Sequence, residues 1–128
     1  MKLLLDTCVF LWLATEPSKL SQAATTALDD EQNELFLSDV SIWEITLKYK
    51  AGKLPLPDTP RRWIPSELLF HGIQSVSIVS DAMFLASELP GDHRDPCDRL
   101  LGAQAEVGAF RLVSPDDAFT TLGIDRLW

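Results

Sequence analysis

The sequence predicts an α/β fold, in which three layers (α/β/α) enclose a mostly parallel central sheet. Short apolar segments alternate with helical ones along the chain, and the first of them, Leu3-Leu4-Leu5, has no polar residue that could face water. A strand that is covered by helices on both faces of its sheet is typically an uninterrupted run of apolar residues. Alternating β and α units connect as parallel strands with crossover helices between them, so both observations favour the same architecture.

Size and composition fit one globular domain, which we expect to span residues 1–128. Apolar residues make up 46% of the chain and charged residues 23%, which excludes a disordered protein. No apolar run approaches the roughly 18 residues that cross a membrane, and the first residues lack the pattern of a signal peptide. We therefore expect a cytoplasmic protein, away from membranes, whose Cys8 and Cys97 are reduced.

Five segments are predicted as strands because they are short, rich in apolar or β-branched residues, and bounded by polar or turn residues. They are Lys2–Leu5, residues 34–37, residues 75–79, Arg111–Val113 and residues 124–128. Helices are predicted between them, over residues 9–13, 21–31, 39–50, 60–70, 80–89 and 95–107, with one helical turn opening at Ser114.

Capping residues and apolar periodicity support these helices. The predicted N-caps are Ser21, Asp39, Ser80 and Asp95. Pro65 is expected to break or kink its helix. The spacing of Val40, Trp43 and Leu47 predicts one apolar stripe facing the core, and we expect Trp12 and Phe36 in the core as well.

Four acids lie just after predicted strands or in the first turns of the helices that follow: Asp6, Glu44, Asp98 and Asp116. Ligands of parallel sheets bind beyond the carboxyl ends of the strands, where these acids would converge. Each also has a simpler explanation, because Asp6, Asp98 and Asp116 suit helix starts and Glu44 can pair with Lys48 one turn later.

Converging carboxylates repel one another unless a cation neutralises them, and hard oxygen ligands suit Mg²⁺ or Mn²⁺. His71 and His93 are the only histidines, and neither is a dependable catalytic base. Carboxylates without histidine fit metal-assisted hydrolysis of phosphodiesters. A strand followed by Asp also opens aspartyl-phosphate phosphatases, but Cys8 stands where their second Asp is usual.

Four segments, in order, resemble the motifs of PIN-domain nucleases, and in particular of VapC-like toxins from toxin–antitoxin pairs. They read LLLDT at residues 3–7, SDVSIWEI at 38–45, HRDPCDRLL at 93–101 and LVSPD at 112–116. The resemblance covers nearly the whole chain. It implies that Asp6, Glu44, Asp98 and Asp116 bind one or two Mg²⁺ or Mn²⁺ ions, and that the hydroxyls of Thr7 and Ser114 orient them. Ser41, on the same helix face as Glu44, is a further supporting candidate, and Asp95 is either a helix cap only or a second such support.

The same resemblance implies an endoribonuclease that cleaves RNA with a metal-activated water, forms homodimers and is silenced by a cognate antitoxin. A catalytically silent module that binds antitoxin or RNA stays open as the alternative. Asp117 adjoins Asp116 and leaves the register of the fourth acid open. Cys8 stands where His, Ser or Asn is more usual in the family, and Cys97 stands where Phe is common. Because both thiols flank site acids, a soft ion such as Zn²⁺ could bind there and inhibit the site.

The formal net charge of −8 argues at first against a nucleic-acid partner, because phosphate contacts need basic surface. Part of the excess negative charge belongs to the acids of the predicted cation site, and the rest would attract a basic antitoxin segment. Candidate RNA contacts are Lys48, Lys50, Lys53, Arg61, Arg62, Arg94 and Arg99. The alternatives are a solvated helix face for the first five and ion pairs with nearby acids for Arg94 and Arg99.

Overall fold

The computed structural model describes residues 1–91 and 95–128 and confirms the three-layer α/β/α architecture. Its sheet has the strand order β3-β2-β1-β4-β5, and every neighbouring pair is parallel. The strands are β1 (Lys2–Leu5), β2 (Glu34–Ser38), β3 (Ile73–Val76), β4 (Arg111–Val113) and β5 (Arg126–Leu127). The most apolar strand, β1, lies at the centre, between β2 and β4.

Seven α-helices connect and cover these strands within the described ranges. They are α1 (Thr7–Thr15), α2 (Gln22–Asp29), α3 (Asp39–Lys50), α4 (Pro60–His71), α5 (Ser80–Glu88), α6 (Pro96–Val107) and α7 (Ala118–Thr121). A short 3-10 helix, Pro17–Lys19, follows α1. None of these helices is long and apolar enough to cross a membrane.

The two faces of the sheet bury separate apolar cores. Leu3 and Leu5 of β1 point into a core that contains Phe10, whereas Leu4 points into the opposite core with Phe119. This alternation follows from the strand period of two residues. All five side chains are completely buried, and each stabilises the fold by about 2 kcal/mol.

Three predicted boundaries differ from those in the structure, one at the start of a strand and two at the starts of helices. The third strand is Ile73–Val76 rather than residues 75–79, because it pairs with β2 as soon as Gly72 has ended α4. Ser38, not Asp39, caps α3, with its Oγ accepting from the Val40 amide at 3.1 Å. Val79 occupies the cap position of α5 without a side-chain hydrogen bond, and Ser80 is the first helical residue.

Two further expectations about helices are wrong at least in part. Helix α4 continues through Pro65, so the expected break is absent and a kink stays a prediction; this exposed proline costs the helix one internal hydrogen bond. The prediction that one apolar stripe of α3 faces the core is wrong for Trp43 and Leu47, whose side chains are 58% and 47% exposed. It holds for Val40, which is buried. Phe36 and Trp12 are half-buried and pack against the rings of Phe110 and Trp128.

Candidate active site

Asp6 directly follows the central strand, and its carboxylate is buried and held on both oxygens. Oδ1 accepts the Thr7 amide at 2.7 Å, which caps α1. Oδ2 accepts the hydroxyl of Ser114, also at 2.7 Å, and Ser114 is completely buried after β4. Because β1 and β4 are neighbours, their two strand ends fix one carboxylate between them.

The surroundings of Asp6 raise the pKa of its carboxyl group from an ordinary 3.8 to about 6. Burial is the largest cause, and the hydrogen bond from Ser114 partly opposes it. The negative charges of Asp98 and Glu44 raise that pKa further. The fold therefore brings three of the four predicted acids within electrostatic range of one another.

Glu44 lies in α3, where it both pairs with Lys48 and contributes its charge to the group of acids. Its Oε2 accepts a hydrogen bond from Lys48 Nζ at 3.0 Å, one turn along the helix, while its charge also acts on Asp6. That hydrogen bond is the main reason why the pKa of Lys48 is raised, and the charges of Asp95 and Asp98 add to it. Lys48 is thus the cation that faces this group of acids from α3.

Asp95 caps the helix that carries Asp98, as its position before Pro96 predicted. Its Oδ1 accepts the amides of Cys97 at 2.9 Å and of Asp98 at 3.4 Å. These bonds satisfy the free amides at the start of α6 and fix its first turn. Asp98, half-buried, is therefore presented to the site by a rigid helix start rather than by a loop.

Asp116 joins the other acids only indirectly. Its amide donates to Ser114 Oγ at 3.0 Å, and its Oδ1 accepts the Ala118 amide at the start of α7. The helix predicted to open at Ser114 instead begins at Ala118, so Ser114 is free to hold Asp6. Asp117 is exposed, which favours Asp116 as the fourth acid.

Two more hydrogen bonds brace the strand ends around Asp6. Thr7 Oγ1 donates to Ser41 Oγ at 2.9 Å, and both hydroxyls are buried, which ties α1 to α3. Arg126 in β5 donates through Nη1 to the Ser114 carbonyl at 3.1 Å. Arg126 is not among the residues predicted for the site; its signal in the sequence is that it is the one cation in the strand predicted over residues 124–128.

Both cysteines stand beside these acids as neutral thiols. Cys8 Sγ lies 3.9 Å from Asp6 Oδ2, and burial together with the Asp6 charge raises its pKa to about 12. Burial and the charge of Asp95 also raise the pKa of Cys97. Both thiols are free, as predicted. Their response to Zn²⁺ stays a prediction.

The family model of the PIN domain matches residues 3–124, which is nearly the whole chain. The chain belongs to the PIN domain family. It is 32% identical over 117 residues to Ribonuclease VapC22 of Mycobacterium tuberculosis, covering 88% of this chain and 85% of that protein. Ribonuclease VapC16 of the same organism is 31% identical over 80 residues, which cover 61% of this chain and 57% of that protein.

Solved structures share the fold of this PIN domain at low sequence identity. VapBC2 from Rickettsia felis, bound to a promoter DNA fragment, matches with a TM-score of 0.72 and 14% identity, over 98% of this chain and 96% of that one. FitAcB from Neisseria gonorrhoeae matches with a TM-score of 0.66 and 18% identity, over 97% and 95%. At these identities the matches establish the fold.

The donor chemistry of this PIN-domain site fits a hard divalent cation. Burial is the main reason why the pKa of Asp6 is raised, and the charges of Asp98 and Glu44 raise it further; a cation would offset both the buried charge and this repulsion. Within residues 1–91 and 95–128, however, no three His, Cys, Asp or Glu side chains already form a compact ligand group. Glu44 accepts Lys48 through Oε2 alone, which leaves its other carboxylate oxygen for an ion.

The candidate RNA contacts fall into different environments. Lys50, Lys53 and Arg61 are exposed, whereas Arg62 pairs with Asp58 at 3.0 Å. Arg99 is half-buried and its guanidinium donates to the carbonyls of Ala86 and Leu89, which ties α6 to α5. Lys48 is exposed and pairs with Glu44 at 3.0 Å. Arg94, the last candidate, lies outside the described residues.

Proposed function

We propose that this PIN domain is an endoribonuclease that hydrolyses RNA with Mg²⁺ or Mn²⁺. The observation that carries the proposal is the buried Asp6 at the end of the central strand, whose pKa rises to about 6 with Asp98 and Glu44 contributing. Groups arranged in this way are typical of functional sites. The relationship to proteins named ribonucleases supports RNA as the substrate.

In this proposal Asp6, Glu44 and Asp98 hold one or two ions, and Asp116 is the fourth ligand. A divalent ion held there lowers the pKa of water and stabilises charge on a phosphate. Ser114 and Thr7 keep Asp6 in place, and Asp95 keeps the first turn of α6 in place. Lys48, released from Glu44, is then free to pair with a substrate phosphate.

We also propose that the chain is the toxin of a toxin–antitoxin pair, acting in the cytoplasm as a homodimer. Structural neighbours include the VapBC2 complex and VapBC-5, described as a member of the VapBC family of toxin–antitoxin systems. The net charge of −8 suits a basic antitoxin segment. Co-expression with the neighbouring small reading frame, followed by pull-down, tests this partner.

The decisive test compares cleavage of a tRNA pool by the wild-type protein and by Asp6→Asn, with Mg²⁺ or with EDTA. We expect cleavage only by the wild type with metal, and a loss of more than about 100-fold in Asp6→Asn. Asp117→Asn is the matched control, because it removes an equal charge from an exposed position nearby. Cleavage by Asp6→Asn at the wild-type rate would refute the assignment.

A second candidate is a catalytically silent PIN domain that only binds antitoxin or RNA. The Lys48–Glu44 pair favours it, because that lysine already neutralises one acid without a metal. Mn²⁺ titration by calorimetry separates the two, since the enzyme must bind the ion and cleave RNA whereas the silent module does neither. Trapping a phosphorylated Asp6 would instead point to a phosphatase.

A further inference from the structure

Helix α3 carries an exposed stripe that neither apolar core absorbs. It consists of Trp43, Leu47 and Lys50, which lie within about 60° of one another around a helix of 3.6 residues per turn. We call these residues the Trp43 stripe. Trp43 is 58% exposed, and in the part of the chain that the structure describes no other aromatic ring packs against it.

The Trp43 stripe borders the acids of the candidate active site. Glu44 follows Trp43 directly, about 100° further around the helix, and Lys48 stands one turn beyond Glu44 on that same side. One column of α3 therefore faces the carboxylates while the next presents an indole ring, an aliphatic side chain and a lysine to solvent.

We propose that the Trp43 stripe is a platform for single-stranded RNA, on which the Trp43 ring stacks against a nucleobase next to the cleaved bond. Leu47 extends the apolar surface under the base, and Lys50 meets a neighbouring phosphate. Aromatic side chains combined with lysines bind single strands in this way without requiring a particular sequence. The inference rests on the proposed ribonuclease function and adds the residues that grip the substrate.

Charge favours RNA over a protein as the occupant. The stripe includes Lys50 and has Lys48 and Lys53 nearby, on a chain whose net charge is −8. The exposed pair Met83 and Phe84 on α5 differs, because that helix contains two acids and no lysine or arginine. A cationic aromatic stripe beside an acidic site is complementary to a polyanion that reaches the site through its bases and phosphates.

The test measures binding of a fluorescein-labelled, single-stranded 12-mer RNA by anisotropy, in an Asp6→Asn background that cannot cleave it. We expect Trp43→Ala to weaken binding about 10-fold and Trp43→Phe, which keeps a stacking ring, to stay within about 3-fold. The matched control Phe84→Ala removes an exposed ring from α5 and should leave affinity unchanged. With Asp6 restored, Trp43→Ala should raise KM for RNA about 10-fold and leave kcat near the wild-type value.

Unchanged RNA affinity in Trp43→Ala would overturn the proposal. A second result would also overturn it: Trp43→Ala and Trp43→Phe weaken RNA binding equally, and light scattering gives both variants half the mass of the wild type. That result would assign the stripe to contact with a second copy of the chain. The two proposals fail separately. Cleavage by the wild type without any effect of Trp43 refutes only the stripe, whereas Trp43-dependent binding without cleavage supports the stripe and refutes the nuclease.

Discussion

At the scale of single residues, the burial of Asp6 makes its charged form costly in the absence of a cation. Its pKa in the folded protein is about 6, above the value of the unfolded chain, so folding favours the protonated form. This contribution to stability is fully present below pH about 4 and is lost as the pH rises through about 6. An acid held in this state is well suited to bind a cation.

We therefore expect the free energy of unfolding of the metal-free protein to fall between pH 4 and 7, by up to roughly 3 kcal/mol from this one group. Asp6→Asn removes the titration, so the difference in stability between it and the wild type should change with pH over that interval. Urea unfolding in EDTA measures both proteins. Parallel stability–pH curves would contradict the burial effect.

Ser114→Ala should shift the pH dependence of cleavage. The hydroxyl of Ser114 donates to Asp6 Oδ2 and lowers the pKa of that carboxyl group, so its loss raises that pKa further. We expect the acid limb of the rate–pH profile to move to higher pH, and Ser114→Thr, which keeps a hydroxyl, to restore it. An unmoved limb in the alanine variant would argue against this hydrogen bond as the control on Asp6.

Residue types and order predicted the acids, but not the exposure of Trp43. Helix α3 has apolar residues on several sides, and Val40 packs into one core while Ile45 packs into the other. The apolar periodicity of α3 therefore could not show which row of apolar residues remains exposed to solvent. The link between Glu44 and Lys48, by contrast, followed from their spacing alone.

At the scale of elements, the start of α6 positions Asp98 through the Asp95 cap. Capping residues before proline were readable in the sequence, because the cap and the proline act locally. The start of β3 was not, since it depends on pairing with β2 from Leu35 opposite Ile73 onwards. Local chemistry sets a helix start, whereas partners distant in sequence set the limits of a strand.

Asp95→Ala should destabilise the protein by about 1 kcal/mol and lower cleavage, because the first turn of α6 loses two hydrogen bonds to its amides. Asp95→Asn keeps an oxygen acceptor and should retain most of both properties. Chemical denaturation and cleavage rates measure the pair. Equal losses in both variants would mean that the charge of Asp95, rather than its cap, is what matters.

At the scale of the whole molecule, strand order converts residues far apart in sequence into one site. Alternating segments predicted a parallel sheet, but the order β3-β2-β1-β4-β5 rests on contacts that no local pattern encodes. Because β1 lies between β2 and β4, the segments that follow these three strands meet around Asp6. Because carboxylates gathered at that edge repel one another, we expect the stability of the fold to respond to divalent cations.

Millimolar MgCl₂ or MnCl₂ should raise the melting temperature of the wild type, since a ligand that binds only the folded state stabilises it by about 2.7 kcal/mol at 100 times Kd. Asp6→Asn should show no comparable rise. NaCl at matched ionic strength controls for general screening, and differential scanning fluorimetry gives the measurement. A rise of the same size in both proteins would place the ion elsewhere.

The hydrogen bond between Ser114 and Asp6 spans 108 positions of the chain. Asp6 therefore leaves the ribosome 108 residues before Ser114. Until β4 and Ser114 have been synthesised, the emerging polypeptide holds the acid without the hydroxyl that positions it or the strand that precedes that hydroxyl. A chain that stops before β4 contains Asp6, Glu44 and Asp98 but lacks the group that fixes the Asp6 carboxylate, so we expect the site to assemble only after Ser114 has been added.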